Sequence, residues 1–535
     1  MTTLLHVLPA LRAAIEPEAR ALTLRSAHLS YGELATAIRA FADALIGAGL
    51  DVHERVGIFL PKTFETVIAM FGAAHAGCVF VPINPLLKPP QVEHILNDCS
   101  VRVLVTSADR MAAVQAILPH CPQLRLVVLI GTEPGDAELP GTLRRVQWQE
   151  FLASGPAGGH HRVIDTDVVA ILYTSGSTGK PKGVVLSHRN MVTGAHSVAE
   201  YLENTPQDRL LAVLPFSFDY GFSQLSTAFH VGASVVLMDH LFARDVVSAV
   251  ARERITGLAA VPPLWLQLAD LAWPQSVGEH LRYFTNSGGA MPRATLDKLR
   301  AALPKTRPFL MYGLTEAFRS TYLPPVEVDR RPDSMGKAIP NAEILVVRPD
   351  GTPCDADEPG ELVHRGSLVA LGYWNDPVKT AERFKPAPDQ DPALVLTEMA
   401  VWSGDTVRRD AEGFLYFVGR RDEMIKTSGY RVSPTEVEEA IYATGLVGDV
   451  VAVGVPHPAL GQAIVIVASP AAQGTVDSAR LLEECKRQLP TFMVPHAIEW
   501  RDSLPRNPNG KFDRPTLANE MKALHGSTAT APSPP

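Results

Sequence analysis

YTSGSTGKPKG, residues 173–183, sets Ser and Thr hydroxyls among glycines and places two lysines around a proline. Glycine lets backbone amides come close to a ligand. Successive amides, together with hydroxyl and ammonium donors, form an anion-binding nest. Phosphate is the ligand such a loop suits. It is not a P-loop: Gly176 and Gly179 stand too close together, and Pro181 follows Lys180 where a magnesium-binding Ser or Thr belongs. Two readings remain, a different phosphate loop or a flexible linker. The apolar run VVAILY just before it reads as a strand, and a strand feeding the loop favours the first.

Working outward, short apolar runs alternate with helical patterns on both sides. YGELATAIRAFADALIGAGL (31–50) carries apolar residues at helical spacing and runs out at Gly47 and Gly49. VGIFLP predicts a buried strand, FETVIAMFGAAHAG a helix and CVFVPIN another strand. ILNDCSVRVLVTSADR and LRLVVLIG repeat the pattern, which resumes beyond the loop to about 310. Such alternation predicts mainly parallel sheet covered on both faces. Residues 131–164 break the rhythm and read as an exposed connection. From 335 to 420 short strands with turns (RPDG, EPGEL, RDAEGFLYF) predict an antiparallel subdomain. A last unit over about 422–524 combines strands VVAVGVP and AIVIVAS with helices SPTEVEEAIYA and SARLLEECKRQL. The tail GSTATAPSPP is low-complexity and reads as disordered.

Size and composition set the class. A chain of 535 residues exceeds one core and calls for two or three units. A net charge of −8 with thinly spread basic residues gives no footprint for nucleic acid. No apolar run is long enough to span a membrane, and the N-terminus lacks a basic leader. The cysteines (Cys78, Cys99, Cys121, Cys354, Cys485) form no CxxC pair and have no His at ligand spacing. They read as reduced thiols of a cytoplasmic protein. The adjacent pair His160 and His161 has no acidic or Cys partner nearby, which argues against a metal site.

With these segments on the page, YTSGSTGKPKG resembles the signature of the adenylate-forming superfamily: acyl-CoA synthetases, peptide-synthetase adenylation domains and luciferases. Further segments follow in the family's order over essentially the whole chain. NSGGAMP (286–292) resembles the strip along which adenine lies, with Gly288, Gly289 and Ala290. MYGLTEA (311–317) resembles YGxTE: Tyr312 and Gly313 would meet the adenine, Thr315 the α-phosphate, and Glu316 the magnesium ion. SGDTVRR (403–409) places Asp405 where a carboxylate accepts both ribose hydroxyls. GRRDEMIKTSGYRVSPTEVE (419–438) resembles the domain boundary, with Arg420 reaching the ribose, Asp422 as hinge and Gly429 in the thiol tunnel. LPRNPNGKFDR (504–514) offers Lys511 as catalytic lysine. The resemblance implies an α/β fold: an N-terminal adenylation domain (1–420) and a small mobile α+β C-terminal domain (421–524), with 525–535 a tail.

The implied reaction spends ATP to join a carboxylic acid to AMP, releasing pyrophosphate. A thiol, of coenzyme A or of a carrier protein's phosphopantetheine, then displaces AMP. The opening loop (Thr174, Ser175, Gly176, Ser177, Thr178, Gly179, Lys182) would hold the β- and γ-phosphates. Thr315, Glu316 and Lys511 would serve the chemistry. A non-catalytic nucleotide-binding protein is the rival from another class; loss of Lys511, Glu316 or the loop would favour it, and all are present.

The acid is less determined. Acyl-CoA synthetases commonly read LPxxH before the pocket, whereas this chain reads LPFSFDYGF (214–222). Phe218 stands near the His position and Asp219 follows. FSFD resembles peptide-synthetase and D-alanine-activating domains, in which that Asp pairs with the substrate ammonium group. The alternative is an Asp that caps a following helix, SQLSTAF, or faces solvent. By the same resemblance Ser223, Ala260, Ser287, Met311, Arg319 and Ser320 would line the pocket. Arg319 is unusual for a fatty-acid tunnel: it is a surface residue, or it meets a second carboxylate or polar group of the substrate. GLTEAFRSTYLPP and FSFDYGF also resemble the acyl-CoA ligase-like group associated with exosortase systems. No carrier-attachment Ser follows residue 515, so a carrier protein, if used, is a separate chain. The sequence carries no signal for oligomeric state.

Overall fold

The computed structural model describes residues 3–131, 139–155, 158, 161–174, 181–420, 423–427, 430–457, 460–471, 476–489, 491–507 and 510–525. His160 and the tail from 526 onward lie outside them.

Among the described residues three sheets carry the fold. An eight-stranded sheet is parallel through its centre: Arg55–Phe59 lies between Val79–Pro82 and Val103–Ser107, and Leu126–Ile130 follows. Val168–Thr174 joins it beside Val79–Pro82 and pairs antiparallel with Lys182–Ser187. A fourteen-stranded sheet has a parallel half, in which Ser234–Leu237, Arg209–Ala212, Gly257–Ala260, Tyr283–Asn286 and Arg307–Tyr312 lie in that order. A third, five-stranded sheet draws only on residues 425–500.

Two of the predicted helices form where the apolar spacing places them. Tyr31–Gly47 opens with a reciprocal capping box between Ser30 and Glu33 and buries Leu34, Ile38, Phe41 and Leu45 on one face. Phe64–His75 buries nearly every side chain. Its Phe71 stacks on Phe222 at 6.0 Å, and Phe222 stacks on Phe80 at 5.4 Å. Phe80 belongs to the eight-stranded sheet and Phe222 to a helix of the other layer, so the two large sheets share one core. The unit beyond 425 has clusters of its own, around Val437, Ile441 and Ile466 on one face of its sheet and Val465, Leu517 and Met521 on the other.

One expectation is corrected. Residues 131–164 are not wholly an exposed connection. Arg144–Gln147 adds a parallel strand beside Leu126–Ile130, and Trp148–Leu152 drives Trp148 and Phe151 onto Phe41, with rings 5.2 and 5.4 Å apart. The antiparallel strands expected between 335 and 420 are present. Thr321–Leu323 pairs with both Arg307–Tyr312 and Ser334–Ala338, which makes them the second half of the fourteen-stranded sheet.

Candidate active site

In the larger sheet the parallel strands Gly257–Ala260, Tyr283–Asn286 and Arg307–Tyr312 end side by side. Ligands of open α/β sheets bind beyond such carboxyl ends. Ala260 and Met311 are buried at these ends, and Ser287 is buried one residue past Asn286. Gly288 follows with φ +82°, a backbone that suits glycine. The Gly289 carbonyl accepts from Asn286 Nδ2 at 2.9 Å; Gly289 and Ala290 are exposed.

The helix expected at SQLSTAF starts earlier, at Asp219, and runs to Val231 with Phe218 at its N-cap. Gly221 lets it begin there, because a Cβ would lie 2.0 Å from the Pro215 carbonyl oxygen. Ser223 is buried one turn in. Asp219 therefore faces no solvent: its side chain is 3% exposed. Arg319 is not a surface residue either, at 2% exposed. The two meet, with Arg319 Nη1 donating to Asp219 Oδ2 at 3.3 Å and to the Phe318 carbonyl at 3.1 Å. Thr315 Oγ1 donates to Asp219 Oδ1 at 3.2 Å. Burial pushes the Asp219 carboxyl up, while Arg319 and Lys511 pull it back.

Lys511 comes from the unit beyond 425, on a turn tied by Lys511 N–H to Asn507 Oδ1 at 3.0 Å and Asn507 N–H to the Lys511 carbonyl at 2.7 Å. Its Nζ is 5.9 Å from the Phe218 ring centroid, and a Cβ on Gly288 would be 3.4 Å from its Cε. Residues separated by hundreds of positions thus gather in one place.

Around Glu316 the sequence missed a partner. The Tyr373 hydroxyl donates to Glu316 Oε1 at 2.5 Å, and the Tyr373 ring lies 5.7 Å from Lys182 Nζ. Burial and the Glu316 charge hold the Tyr373 hydroxyl far above the ordinary phenol range. GYW at 372–374, an aromatic pair after a glycine, was the available signal. Among the described residues no three His, Cys, Asp or Glu side chains cluster as a metal site. A lone carboxylate fits magnesium, which takes oxygen ligands and shares its shell with phosphates and water.

Thr174 ends its strand opposite Lys182; Ser175, Gly176, Ser177, Thr178 and Gly179 lie outside the described residues. The Tyr312 hydroxyl donates to Asp405 Oδ2 at 2.5 Å, and Gly313 follows with Arg319 Cα 3.2 Å from where its Cβ would stand. Asp405 pairs in register with Arg420 on the neighbouring strand. Asp422 and Gly429 lie outside the described residues.

Behind the pocket, Ser320 Oγ bonds His364 Nδ1 at 2.9 Å. Complete burial lowers the His364 imidazole to about 3, against ~6.5 in an unfolded chain. A depressed imidazole stabilises the fold fully above ~6.5 and loses that contribution as pH falls toward the folded value. Between pH 7 and pH 4.5 the wild type should lose about 2.5 kcal/mol more than His364→Phe, read from urea unfolding of both. Parallel losses would place the acid sensitivity elsewhere.

Against known proteins, the family described as AMP-binding enzyme matches residues 10–374, and its C-terminal domain matches residues 436–511. Indoleacetate–CoA ligase of Aromatoleum aromaticum is 28% identical over 504 residues, covering 93% of this chain and 94% of that protein. A linear gramicidin synthase of Brevibacillus parabrevis is 29% identical over 509 residues, 94% of this chain but only 6% of that protein's length. The crystal structure of the anthranilate CoA ligase AuaEII in complex with anthranoyl-AMP superposes with a TM-score of 0.87 over 98% of this chain and all of that one, at 24% identity, which speaks for the fold. Among the described residues no helix is long and apolar enough to cross a membrane. The chain belongs to the AMP-binding enzyme family and is an ATP-dependent, AMP-forming acid–thiol ligase.

Proposed function

We propose that this site activates a carboxylic acid as its acyl-adenylate and passes the acyl group to coenzyme A, the acceptor in the name of the indoleacetate relative. The observation that carries the reading is the arrival of Lys511 beside Phe218 and Gly288, at the carboxyl ends of the parallel strands. An acid oxygen attacks the α-phosphorus, pyrophosphate leaves, the thiol attacks the acyl carbon and AMP leaves. Lys511 neutralises charge building between acid and α-phosphate, as a positioned point charge does. Thr315, whose hydroxyl donates to Asp219 before ATP arrives, turns it to the α-phosphate when the nucleotide binds. Glu316 supplies the oxygen ligand for magnesium, which offsets phosphate charge when bound.

Thr174, Ser175, Gly176, Ser177, Thr178, Gly179 and Lys182 hold the departing pyrophosphate. Gly288, Gly289, Ala290, Tyr312 and Gly313 take the adenine, and Asp405 and Arg420 the ribose. Phe218, Asp219, Ser223, Ala260, Ser287, Met311 and Arg319 line the acid pocket. All five cysteines are free and buried, which suits a reducing cytoplasm.

The separate sheet and core beyond 425 suit a unit that turns as a body about Asp422, withdraws Lys511 and brings Gly429 to the thiol. Asp422→Pro should keep adenylate formation and stall thioester formation. Equal slowing of both half-reactions would refute the hinge.

A second reading, loading of an amino acid onto a separate carrier protein, draws on FSFD and on the likeness to one segment of a gramicidin synthase. Against it, both Asp219 oxygens already have partners within the chain. The exosortase-associated group is the subgroup that GLTEAFRSTYLPP and FSFDYGF suggest. ATP–pyrophosphate exchange with fatty, aryl and amino acids is the test. Exchange confined to amino acids would select the carrier reading; exchange with fatty or aryl acids selects the coenzyme A ligase.

A further inference from the structure

Glu316 sits on one short turn, Thr315–Ala317, beyond the strand Arg307–Tyr312 of the larger sheet. Such a turn fixes the backbone and leaves a long, rotatable side chain to be fixed by something else. A carboxylate that must meet a metal in one orientation is held by an outer partner. The segment 370–375 supplies that partner. The Ala370 N–H donates to the Glu316 carbonyl at 2.8 Å, and the Tyr373 hydroxyl donates to Glu316 Oε1 at 2.5 Å. A phenol bonded to a carboxylate is a short, charge-assisted contact. Backbone and side chain of the same glutamate are gripped from one segment, and the bond to Oε1 leaves the second carboxylate oxygen to another partner.

The segment is itself anchored to the phosphate-loop side of the molecule. Gly372–Tyr373 pairs with Val184 and Val185, on the strand that begins at Lys182 in the eight-stranded sheet. The Leu371 N–H donates to the Val185 carbonyl at 2.9 Å and the Trp374 N–H to the Gly183 carbonyl at 2.7 Å. Trp374 Nε1 and Asn375 Nδ2 both donate to the Asp98 carbonyl, at 2.9 and 2.8 Å. Thr380 Oγ1 accepts from the Tyr373 N–H at 3.0 Å, and the Phe384 ring packs edge-on against the Tyr373 ring, with centroids 5.6 Å apart. The Tyr373 ring in turn lies 5.7 Å from Lys182 Nζ. One locked side chain therefore touches both the carboxylate assigned to the metal and the lysine assigned to the pyrophosphate, which belong to different sheets.

We propose that Tyr373 is a positioning residue for the metal: its hydroxyl holds one oxygen of Glu316 so that the other is presented to the magnesium that accompanies ATP. This rests on the adenylating reading of the site, in which Glu316 is the metal ligand. Tyr373 acts through Glu316 and takes no part in the bonds that form or break. The ring keeps its own place beside Lys182, so removing the hydroxyl alone separates the two contacts.

Calorimetric titration of ATP into the full chain, once with excess magnesium chloride and once with EDTA, tests this without turnover. The ratio of the two dissociation constants measures what the metal adds to nucleotide binding. Tyr373→Phe should cut that ratio by ~10- to 100-fold, the usual effect of losing an outer partner of a metal ligand, and leave the EDTA value in place. Glu316→Gln should cut it too. Tyr373→Phe placed on top of Glu316→Gln should add nothing, because a residue that acts through a carboxylate has no effect once the carboxylate is gone. If Tyr373→Phe does not fold, Tyr373→Met serves instead, since it fills the space with a flexible apolar chain and offers no donor; its ratio should fall as well. An unchanged ratio in the folded variants overturns the inference and leaves the ligase intact. So does equal weakening with and without magnesium, or additive losses in the double variant, either of which makes the tyrosine structural. A wild type that binds ATP equally well in EDTA, or a Glu316→Gln ratio that does not move, overturns the assignment of Glu316 beneath it, and failure to bind ATP at all overturns the adenylating reading.

Discussion

Lys511→Ala should slow ATP–pyrophosphate exchange by ~10²- to 10³-fold, the loss that follows removal of one positioned donor to developing charge. Transfer from a preformed acyl-adenylate to the thiol should change far less. The asymmetry comes from where the lysine originates. Its turn belongs to the unit beyond 425, while the groups it meets, Phe218 and Gly288, belong to the large sheet's end. On the proposed hinge, the lysine serves only while that unit is docked. Lys511→Arg tests the geometry, because a planar fork does not replace a compact ammonium on a flexible stem. Equal loss in both half-reactions would show that Lys511 does not act in adenylation alone.

Asp219→Ala should cost about 3–5 kcal/mol of folding stability, because it leaves Arg319 buried without its anion. The double variant Asp219→Ala with Arg319→Met should recover most of that loss, since replacing a buried ion pair by apolar groups is often neutral. Denaturant unfolding of the four proteins closes the cycle. In exchange assays the single variant should impair fatty and amino acids alike. Full stability with loss confined to amino acids would instead make Asp219 the ammonium site. The comparison works because the pair is closed off from water, where an ion pair at the surface would move stability little.

The same pair shows what the sequence carries and what it leaves out. FSFD singled out Asp219 from its neighbours, and GLTEAFRSTYLPP made Arg319 conspicuous. Nothing local joins residues 100 positions apart, so a surface Arg and a solvent-facing Asp stood as readings until tertiary contact decided them. The strands and helices were legible because apolar residues repeat at their own periods, as along Tyr31–Gly47. Arg144–Gln147 was not, because RRVQ at a sheet edge has no buried alternation to betray it. Tyr373 was missed since its partner Glu316 lies 57 residues away. Lys511 was singled out by its motif, and its position against Phe218 is a property of the assembled chain.

The short strand Thr321–Leu323 has a consequence for how the chain can be divided. It is the seam through which hydrogen bonding passes from the parallel half of the large sheet to the antiparallel half. A fragment ending near residue 333 would leave that seam as a bare margin of unpaired amides and carbonyls, the kind of surface that recruits another copy. Among the described residues the sheet beyond 425 pairs only with its own strands, so a division ahead of it exposes no such margin. Upstream of it, the two halves of the large sheet depend on the same seam.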